Sequence, residues 1–186
     1  MMQVKQIASK DCYDLILNHH YAKRIPCIQF AFGLFEDEVL VGCVTFGQPA
    51  SPWIKVSMFG RESGIELLEL NRLVILTSTK NSASFLIGNA IKKLNKKIAL
   101  VSYADCGVGH VGYVYQATNW KFGGTSKPRT DIFSESGHAR HHGSDPTKRQ
   151  ARSAKNRYWL CRDKLQAKVC KWEALPYPKG VSLHTV

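Results

Sequence analysis

The stretch ELLELNRLVIL (residues 66–76) predicts a β-strand, because only Glu69 and the pair Asn71-Arg72 interrupt its apolar run. Residues 82–95 predict a helix, with an apolar stripe on one side and lysines on the other. The apolar run at residues 98–102 predicts a second strand, which leads into Asp105. These three elements follow one another in the chain as strand, helix and strand.

Further elements flank this unit on both sides. Upstream, residues 11–21 predict a helix, and residues 28–35 and 39–46 predict a β-hairpin. Downstream, the sequence predicts a short helix and three late strands, over residues 109–117, 120–126, 131–133 and 157–163. This order predicts an α/β (α+β mixed) fold with a central, mostly antiparallel sheet flanked by helices.

Length and composition indicate one domain over residues 1–186. No apolar run approaches the roughly 20 residues that cross a bilayer, so no membrane partner is expected. The N-terminus lacks the apolar core of a signal peptide, which predicts a cytoplasmic location. The six cysteines form no CxxC pair, which predicts reduced thiols and no zinc site.

The net charge of +12 points to an acidic partner. A basic segment over about residues 138–164 contains Arg149, Arg152, Lys155 and Arg157, followed by Tyr158-Trp159. Cations beside aromatic faces suit phosphates and stacked bases, so these four residues are predicted to bind nucleic acid. A solvated basic segment is the alternative. Anionic lipid is disfavoured because no amphipathic apolar face accompanies the charge.

The stretch YADCGVGHVGYVYQATNW (residues 103–120) has the composition of a functional site. It places an acid, Asp105, at a strand end, with glycines that allow a sharp turn before the short helix. Active sites of α/β proteins often lie at such strand ends. The alternative is an aspartate that only caps the turn.

Three motifs in order resemble one protein family. NHHYAKRIP (residues 18–26), LELNRLVI (68–75) and the 103–120 stretch resemble the Mom family of bacteriophage DNA-modification proteins, which are related to the GNAT acetyltransferases. The basic RSAKNRYWL (152–160) is similar too.

The resemblance implies a GNAT-like fold, with the strand at residues 66–76 and the helix at 82–95 as its central unit, and a defined reaction on double-stranded DNA. Mom-family enzymes add a carbamoylmethyl (acetamido, glycyl-type) group to N6 of adenine, which protects phage DNA from host restriction. By motif, the residues tied to activity are His20, Tyr21, Asp105 and Tyr115. The resemblance also implies iron, for which His20, Tyr21 and Asp105 are the candidate ligands.

The group donor is left open by the sequence. Acyl-CoA-dependent relatives carry a glycine-rich loop whose amides hold the pyrophosphate, whereas residues 77–84 contain no glycine. Lys80 and Ser84 are candidates for a different phosphate contact, but ordinary use of acetyl-CoA is in doubt. A charged tRNA such as a glycyl-tRNA is a chemical alternative, and the basic surface would suit it.

Adenine N6 is a weak nucleophile, so the site needs a base and a group that activates the donor. Asp105 is the candidate base or metal ligand, and Tyr115 the candidate proton donor or phenolate ligand, with packing on a helix face as its alternative. For His20 the alternative is a cation at a helix end. Glu69 is a reserve base and Arg72 a reserve anion-binding residue, and strand alternation predicts that they lie on opposite sides. His110 is expected to be structural.

The target base must be extruded from the duplex or already single stranded. Trp53, Trp120 and Tyr103 are candidates to stack on it. Two competing functions remain: a conventional GNAT N-acyltransferase that uses acyl-CoA on a small amine or protein, and a basic nucleic-acid-binding module without catalysis.

Overall fold

The computed structural model describes residues 1–134 and 144–179. No helix in these ranges is long and apolar enough to cross a membrane. In chain order the elements are β1 (Met2–Gln6), α1 (Tyr13–His19), β2 (Phe30–Glu36), β3 (Val39–Gly47), α2 (Trp53–Phe59), β4 (Glu66–Ile75), α3 (Ser82–Lys93), β5 (Ile98–Asp105), α4 (Tyr113–Gln116), β6 (Lys121–Thr125), β7 (Arg129–Ser134), β8 (Ser144–Arg152), β9 (Lys155–Leu160) and α5 (Lys164–Val169).

Seven strands form the main sheet, in the order β1-β2-β3-β4-β5-β9-β6, and β7 and β8 form a separate two-stranded ribbon. Within the main sheet β4 and β5 are parallel and the other neighbours are antiparallel. The predicted fold class, a mostly antiparallel sheet flanked by helices, is therefore confirmed.

Helices cover both faces of the main sheet. On β5, Leu100 packs in the cluster beneath α3, whereas the next residue, Val101, packs with Met58 of α2. On β3, Val44 packs beneath α3 and its neighbour Cys43 packs with α1. Because successive side chains of a strand point to opposite faces, α3 lies on one face and both α1 and α2 lie on the other.

The predicted central unit is confirmed, and the differences lie in short elements. Helix α1 ends at His19, because His20 has extended backbone, with ψ of 135°. Helix α4 has four residues, since Gly109 and Gly112 before it have φ of 75° and 100° and interrupt any longer helix. The sequence missed β1, α2, β8 and α5. The single domain over residues 1–186 stays a prediction, and residues 138–143 of its basic segment lie outside the described ranges.

A β-bulge in β4 changes which side Arg72 faces. The register with β3 shifts between the pairs Thr45↔Arg72 and Phe46↔Leu70. Leu70 packs beneath α3, yet Val74, four residues on, packs with α1 on the other face. The extra residue reverses the alternation, so Arg72 shares a face with Glu69. The prediction that the two lie on opposite sides is wrong for this reason.

Strands β4 and β5 separate after a short pairing. They are paired from Glu66↔Ile98 to Glu69↔Val101. Beyond that point β4 continues with β3, and β5 continues with β9 as far as Asp105↔Lys155. A gap therefore opens in the middle of the sheet between two strands that are each held from their other side.

Candidate active site

A pocket of about 470 Å³ lies in the gap between β4 and β5, within the usual size range of small-molecule sites. Residues of β4 and β5 form two of its walls, and the turn between β5 and α4 forms a third. The functional side chains on these walls are Glu69, Asn71, Arg72, Tyr103, His110, Tyr113, Tyr115 and Lys155, with His20 and Tyr21 beside them.

Tyr115 and Ser102 join the two separated strands. Tyr115 is 7% exposed, and its hydroxyl lies 2.8 Å from Oγ of Ser102, which lies 2.8 Å from the carbonyl oxygen of Leu70. Ser102 has one hydroxyl hydrogen, so both bonds form if Tyr115 donates to Ser102 and Ser102 donates to Leu70. Burial raises the pKa of Tyr115 to about 12, so the phenol keeps its proton at neutral pH. Sequence reasoning missed Ser102, whose only signal was a hydroxyl in an apolar strand.

Glu69 is the carboxylate on the pocket wall. Its Oε2 accepts a hydrogen bond of 3.3 Å from the backbone N–H of Ala50. Burial raises the pKa of Glu69 above its ordinary value, and the Ala50 bond and the charges of Lys155 and Arg72 offset only part of this. A carboxylate with a raised pKa takes up a proton more readily than an exposed one, which suits a general base.

His20 and Tyr21 stand together at one side of the pocket. Their rings stack with centroids 4.4 Å apart, and the ring of Tyr21 meets His110 edge-on at 5.5 Å. Nδ1 of His20 accepts a 3.0 Å bond from the N–H of Ala22, so the neutral ring carries its proton on Nε2. Burial, with the charges of Arg72 and His110, lowers the pKa of His20 to about 4. The ring is uncharged at neutral pH, contrary to the helix-end cation considered from the sequence.

The low pKa of His20 makes stability depend on pH. The pKa is about 6.5 in the unfolded chain and about 4 in the folded protein, so the unfolded state binds the proton more tightly. The contribution of neutral His20 to the free energy of unfolding is therefore fully present above pH 6.5 and is lost as the pH falls towards 4. Because the ring is partly solvated, we expect a loss of about 1 kcal/mol between pH 7.5 and 5, or about 2–4 °C in melting temperature.

Melting curves of the native protein and of His20→Asn test this expectation. Asparagine keeps an acceptor for the Ala22 N–H but does not titrate, so its melting temperature should fall less over the same pH range. His19→Asn, at an exposed position next in sequence, serves as the control and should follow the native protein. Parallel curves for His20→Asn and the native protein would contradict the assignment.

Asp105 caps the turn that follows β5. Its Oδ1 accepts bonds from the Gly107 N–H at 2.9 Å and from the Ser153 hydroxyl, and its Oδ2 lies 3.5 Å from Nζ of Lys155. Burial alone raises the pKa of Asp105, but the bonds from Ser153 and Gly107 and the charge of Lys155 outweigh it and lower the pKa. These contacts match the capping alternative and make Asp105 a weak base. They also hold Lys155 at the pocket wall, and a direct catalytic role for Asp105 stays a prediction.

Two of the three candidate iron ligands are engaged in other contacts. Within the described ranges no three His, Cys, Asp or Glu side chains are grouped to hold a metal ion. Both oxygens of Asp105 already face donors, and Nδ1 of His20 is bonded to Ala22. Iron therefore stays an untested prediction.

Arg72 carries a buried positive charge at the pocket. It is 9% exposed, its Nε donates to the carbonyl of Arg24 at 3.2 Å, and its Nη1 donates to the carbonyl of Asn71 at 2.6 Å. Its Nη2 is buried and has no hydrogen-bond partner among the described residues. A buried guanidinium needs partners for all its donors, which supports the prediction that Arg72 binds an anionic group.

Comparison with known proteins agrees with this architecture. The profile of the Mom protein family matches residues 1–177. This chain belongs to the Mom family. No curated protein sequence matches it.

Solved structures similar to this Mom-family protein have the GNAT fold. Arabidopsis thaliana NAA60 in complex with acetyl-CoA is 11% identical, with a TM-score of 0.58, and the match covers 86% of this chain and 98% of that one. The ribosomal-protein-S5-alanine acetyltransferase from Vibrio fischeri is 12% identical, with a TM-score of 0.55 and coverage of 88% and 94%. Family and fold together support a transferase of the GNAT type.

The remaining predicted residues of this Mom-family protein lie apart from the pocket wall. Ser84 is in the first turn of α3, where its hydroxyl donates to the carbonyl of Asn81 at 3.0 Å. Arg157 donates to the carbonyl of Gly123 and lies 4.0 Å from the ring centre of Trp172. Arg152 pairs with Asp131 at 3.2 Å, and Arg149 is exposed on β8. The four basic residues predicted to bind nucleic acid are thus spread over the pocket, the ribbon and an internal contact.

The three aromatic residues predicted to stack on a base also separate. Trp120 is fully buried and packs on Tyr115, with ring centres 5.3 Å apart, so it cannot reach a ligand. Trp53 is 62% exposed on α2, outside the pocket, with Arg61 over its ring. Tyr103 lines the pocket, together with Tyr21, which sequence reasoning did not consider for stacking.

Proposed function

We propose that this protein is a DNA-modifying transferase that adds a carbamoylmethyl (glycyl-type) group to N6 of adenine. One observation carries the proposal beyond a transferase of the GNAT type. A carboxylate with a raised pKa, Glu69, and a proton-bearing phenol, Tyr115, line the same pocket between separated strands. Transfer to a weak amine nucleophile needs this combination of base and acid.

Each residue has a defined part in the proposed reaction. Glu69 takes a proton from the adenine N6 amino group as the bond from N6 to the carbon of the transferred group forms. The bond from that carbon to the donor's leaving atom breaks, and the leaving atom takes the proton that Tyr115 donates to Ser102 in the resting site. A glycyl ester is attacked at its carbonyl carbon, so with such a donor this step gives N6-glycyladenine. The carbamoylmethyl product is the isomer in which N6 is bonded to the methylene carbon, and it requires a rearrangement after the transfer. Ser102 holds the Tyr115 hydroxyl in place, and its own bond to Leu70 fixes it on β4.

The pocket also offers groups that recognise an extruded base. Tyr21 and Tyr103 provide aromatic faces, and His20 offers an Nε2–H donor because its Nδ1 is bonded to Ala22. Aromatic stacking and hydrogen bonds to the base edge are how base-flipping enzymes hold their target. Arg72 supplies the positive charge that suits a phosphate or a carboxylate of either substrate.

The donor remains a separate proposal. NAA60, which shares the fold, is in complex with acetyl-CoA, but residues 77–84 of this chain lack the glycines of an acyl-CoA loop. A glycyl-tRNA-type donor has the composition of the added group and would meet a strongly basic protein, with a net charge of +12.

Mass spectrometry of nucleosides from the DNA of bacteria that express the protein tests the proposed function. We expect a deoxyadenosine heavier by one glycyl-type unit, and resistance of the DNA to restriction enzymes whose sites contain adenine. The protein must be recovered folded, as judged by a cooperative melting transition. An unmodified nucleoside profile from such cells would overturn the proposal, and acetylation of a small amine or a protein by the same preparation would favour a conventional acyltransferase.

A further inference from the structure

The β7–β8 ribbon is a two-stranded element that is not part of the main sheet. The major groove of B-DNA, about 12 Å wide, admits a two-stranded ribbon. Side chains that lie opposite each other in an antiparallel pair share a face. The register therefore places two sets on opposite faces: Arg129, Asp131, Gln150 and Arg152, and Thr130, Ile132, Arg149 and Ala151.

The first face is held by contacts within the ribbon. The carboxylate of Asp131 lies 3.5 Å from Nε of Arg129 and 3.2 Å from Nε of Arg152, on the facing strand. Nε2 of Gln150 donates to the carbonyl of Ile132 at 3.0 Å. The bonds from Arg152 to Asp131 and from Gln150 to Ile132 tie the two strands together, so the ribbon presents its other face in a fixed register.

The second face is largely solvent-exposed and carries one positive charge, that of Arg149. Arg149, Thr130 and Ala151 are all exposed. A long guanidinium between a hydroxyl and a methyl group matches the side chains that read base edges, since Arg pairs with guanine and Thr and Ala contact the thymine methyl. No large apolar side chain stands on the described part of this face, apart from the half-buried Ile132, so a protein partner has little to pack against.

The ribbon begins beside the pocket. The Ser153 hydroxyl, one residue after β8, bonds to Asp105, and Lys155 lines the pocket. Arg149 is six residues from Lys155, so their Cα atoms lie at most about 20 Å apart. This distance corresponds to about six base pairs at 3.4 Å each. The N6 amino group of adenine faces the major groove, so an enzyme that acts on it approaches from that groove.

We propose that the β7–β8 ribbon lies in the major groove beside the target adenine, and that Arg149 reads base pairs within about six positions of it. This inference rests on the proposed function, because the target atom sets the groove. It goes beyond the proposed function because it assigns the selection of the DNA sequence around the target adenine to the ribbon rather than to the pocket.

The sequence context of modified adenines in cellular DNA provides the first test. For the native protein we expect a base preference within about six positions of the target, and for Arg149→Ala a preference weaker by about tenfold or more. Arg149→Lys keeps the charge but loses the two-pronged donor, so it should lose the preference while retaining duplex affinity. An unchanged context in both variants would overturn the assignment of Arg149.

Duplex binding without chemistry provides the second test, by fluorescence anisotropy. A duplex whose cytosines carry glucosylated 5-hydroxymethyl groups has a filled major groove, and the native protein should bind it about tenfold or more weakly than the unmodified duplex. The double variant Lys92→Ala/Lys93→Ala, at exposed positions on α3, removes positive charge elsewhere and should keep this discrimination.

The two tests separate the inference from the proposed chemistry. Groove-dependent binding with no modified adenine would reject the chemistry and keep the ribbon in the major groove. Equal affinity for both duplexes would overturn the ribbon's placement, even if adenine is modified. Absence of any duplex binding would also overturn the ribbon's placement, whereas the nucleoside profile alone decides the chemistry.

Discussion

Replacing Glu69 with glutamine is expected to lower the rate of adenine modification by about 10²- to 10⁴-fold, the usual contribution of a general base. Glutamine keeps the size of the side chain and an oxygen that can accept the Ala50 N–H, so the fold should be retained. What it loses is the ability to take the proton from adenine N6. Initial rates of modified deoxyadenosine formation, measured by mass spectrometry on purified DNA, give the effect directly.

The pH dependence of the rate adds a second criterion for Glu69. Burial raises its pKa, so the native rate should increase as the pH rises through that raised value and the carboxylate becomes available as a base. The residual rate of Glu69→Gln should not show this increase with pH. Glu66→Gln is the matched control, because Glu66 lies on the same strand but is exposed and bonded to Gln29 at 3.2 Å. A Glu69→Gln variant with the native rate would remove Glu69 from the mechanism.

Tyr115→Phe should lower the modification rate by about 10²-fold or more, because the proton donor to the leaving group is lost. The ring still packs between Trp120 and Tyr158, with ring centres 5.3 Å and 5.0 Å away. The lost hydroxyl also removes one buried hydrogen bond, which costs about 1 kcal/mol, or about 2–4 °C in melting temperature. The rate therefore falls much further than stability does.

Tyr158→Phe separates catalysis from packing. Tyr158 is as deeply buried as Tyr115, and its hydroxyl donates to the carbonyl of Val111 at 2.8 Å. Its loss should lower the melting temperature by a similar amount while most of the activity remains. If both phenylalanine variants lose stability equally and both keep the native rate, Tyr115 is a packing residue only.

Ser102→Ala extends the same logic to the residue that holds Tyr115. Without the serine hydroxyl, Tyr115 can no longer donate to it, and Leu70 loses its partner across the gap. Ser102→Ala should lower the rate less than Tyr115→Phe does, and adding Tyr115→Phe to Ser102→Ala should lower the rate further. This pair of results would identify Ser102 as a positioning residue.

The sequence determined the central unit of the fold because long apolar or periodic segments indicate their secondary structure without help from distant residues. Helix α3 buries one stripe of side chains, and strands β4 and β5 are apolar runs with buried residues on both faces. The elements that the sequence missed are short or at an edge: β1 alternates half-buried and exposed residues, and α2 has only seven. Their structure depends on neighbours that local periodicity does not reveal.

The sequence also supplied four site residues, His20, Tyr21, Asp105 and Tyr115, through their motifs. Only the tertiary structure showed how they differ: His20 and Tyr115 have pKa values moved by burial, whereas Asp105 is held by Ser153, which lies 48 residues away. Burial and contacts with distant residues arise only when the chain packs, so a local sequence pattern does not predict them.

Tertiary structure likewise decided three features of the site: the role of Glu69 as the base, the face on which Arg72 lies, and the role of Ser102. A bulge in β4 reverses its alternation after Leu70, and the separation of β4 from β5 leaves a space that Ser102 spans. Both features arise from pairing between strands that are far apart in sequence. The sequence alone therefore determined the family, the central strands and helix and the motifs, and the pairing of distant strands determined which side chains meet in the pocket.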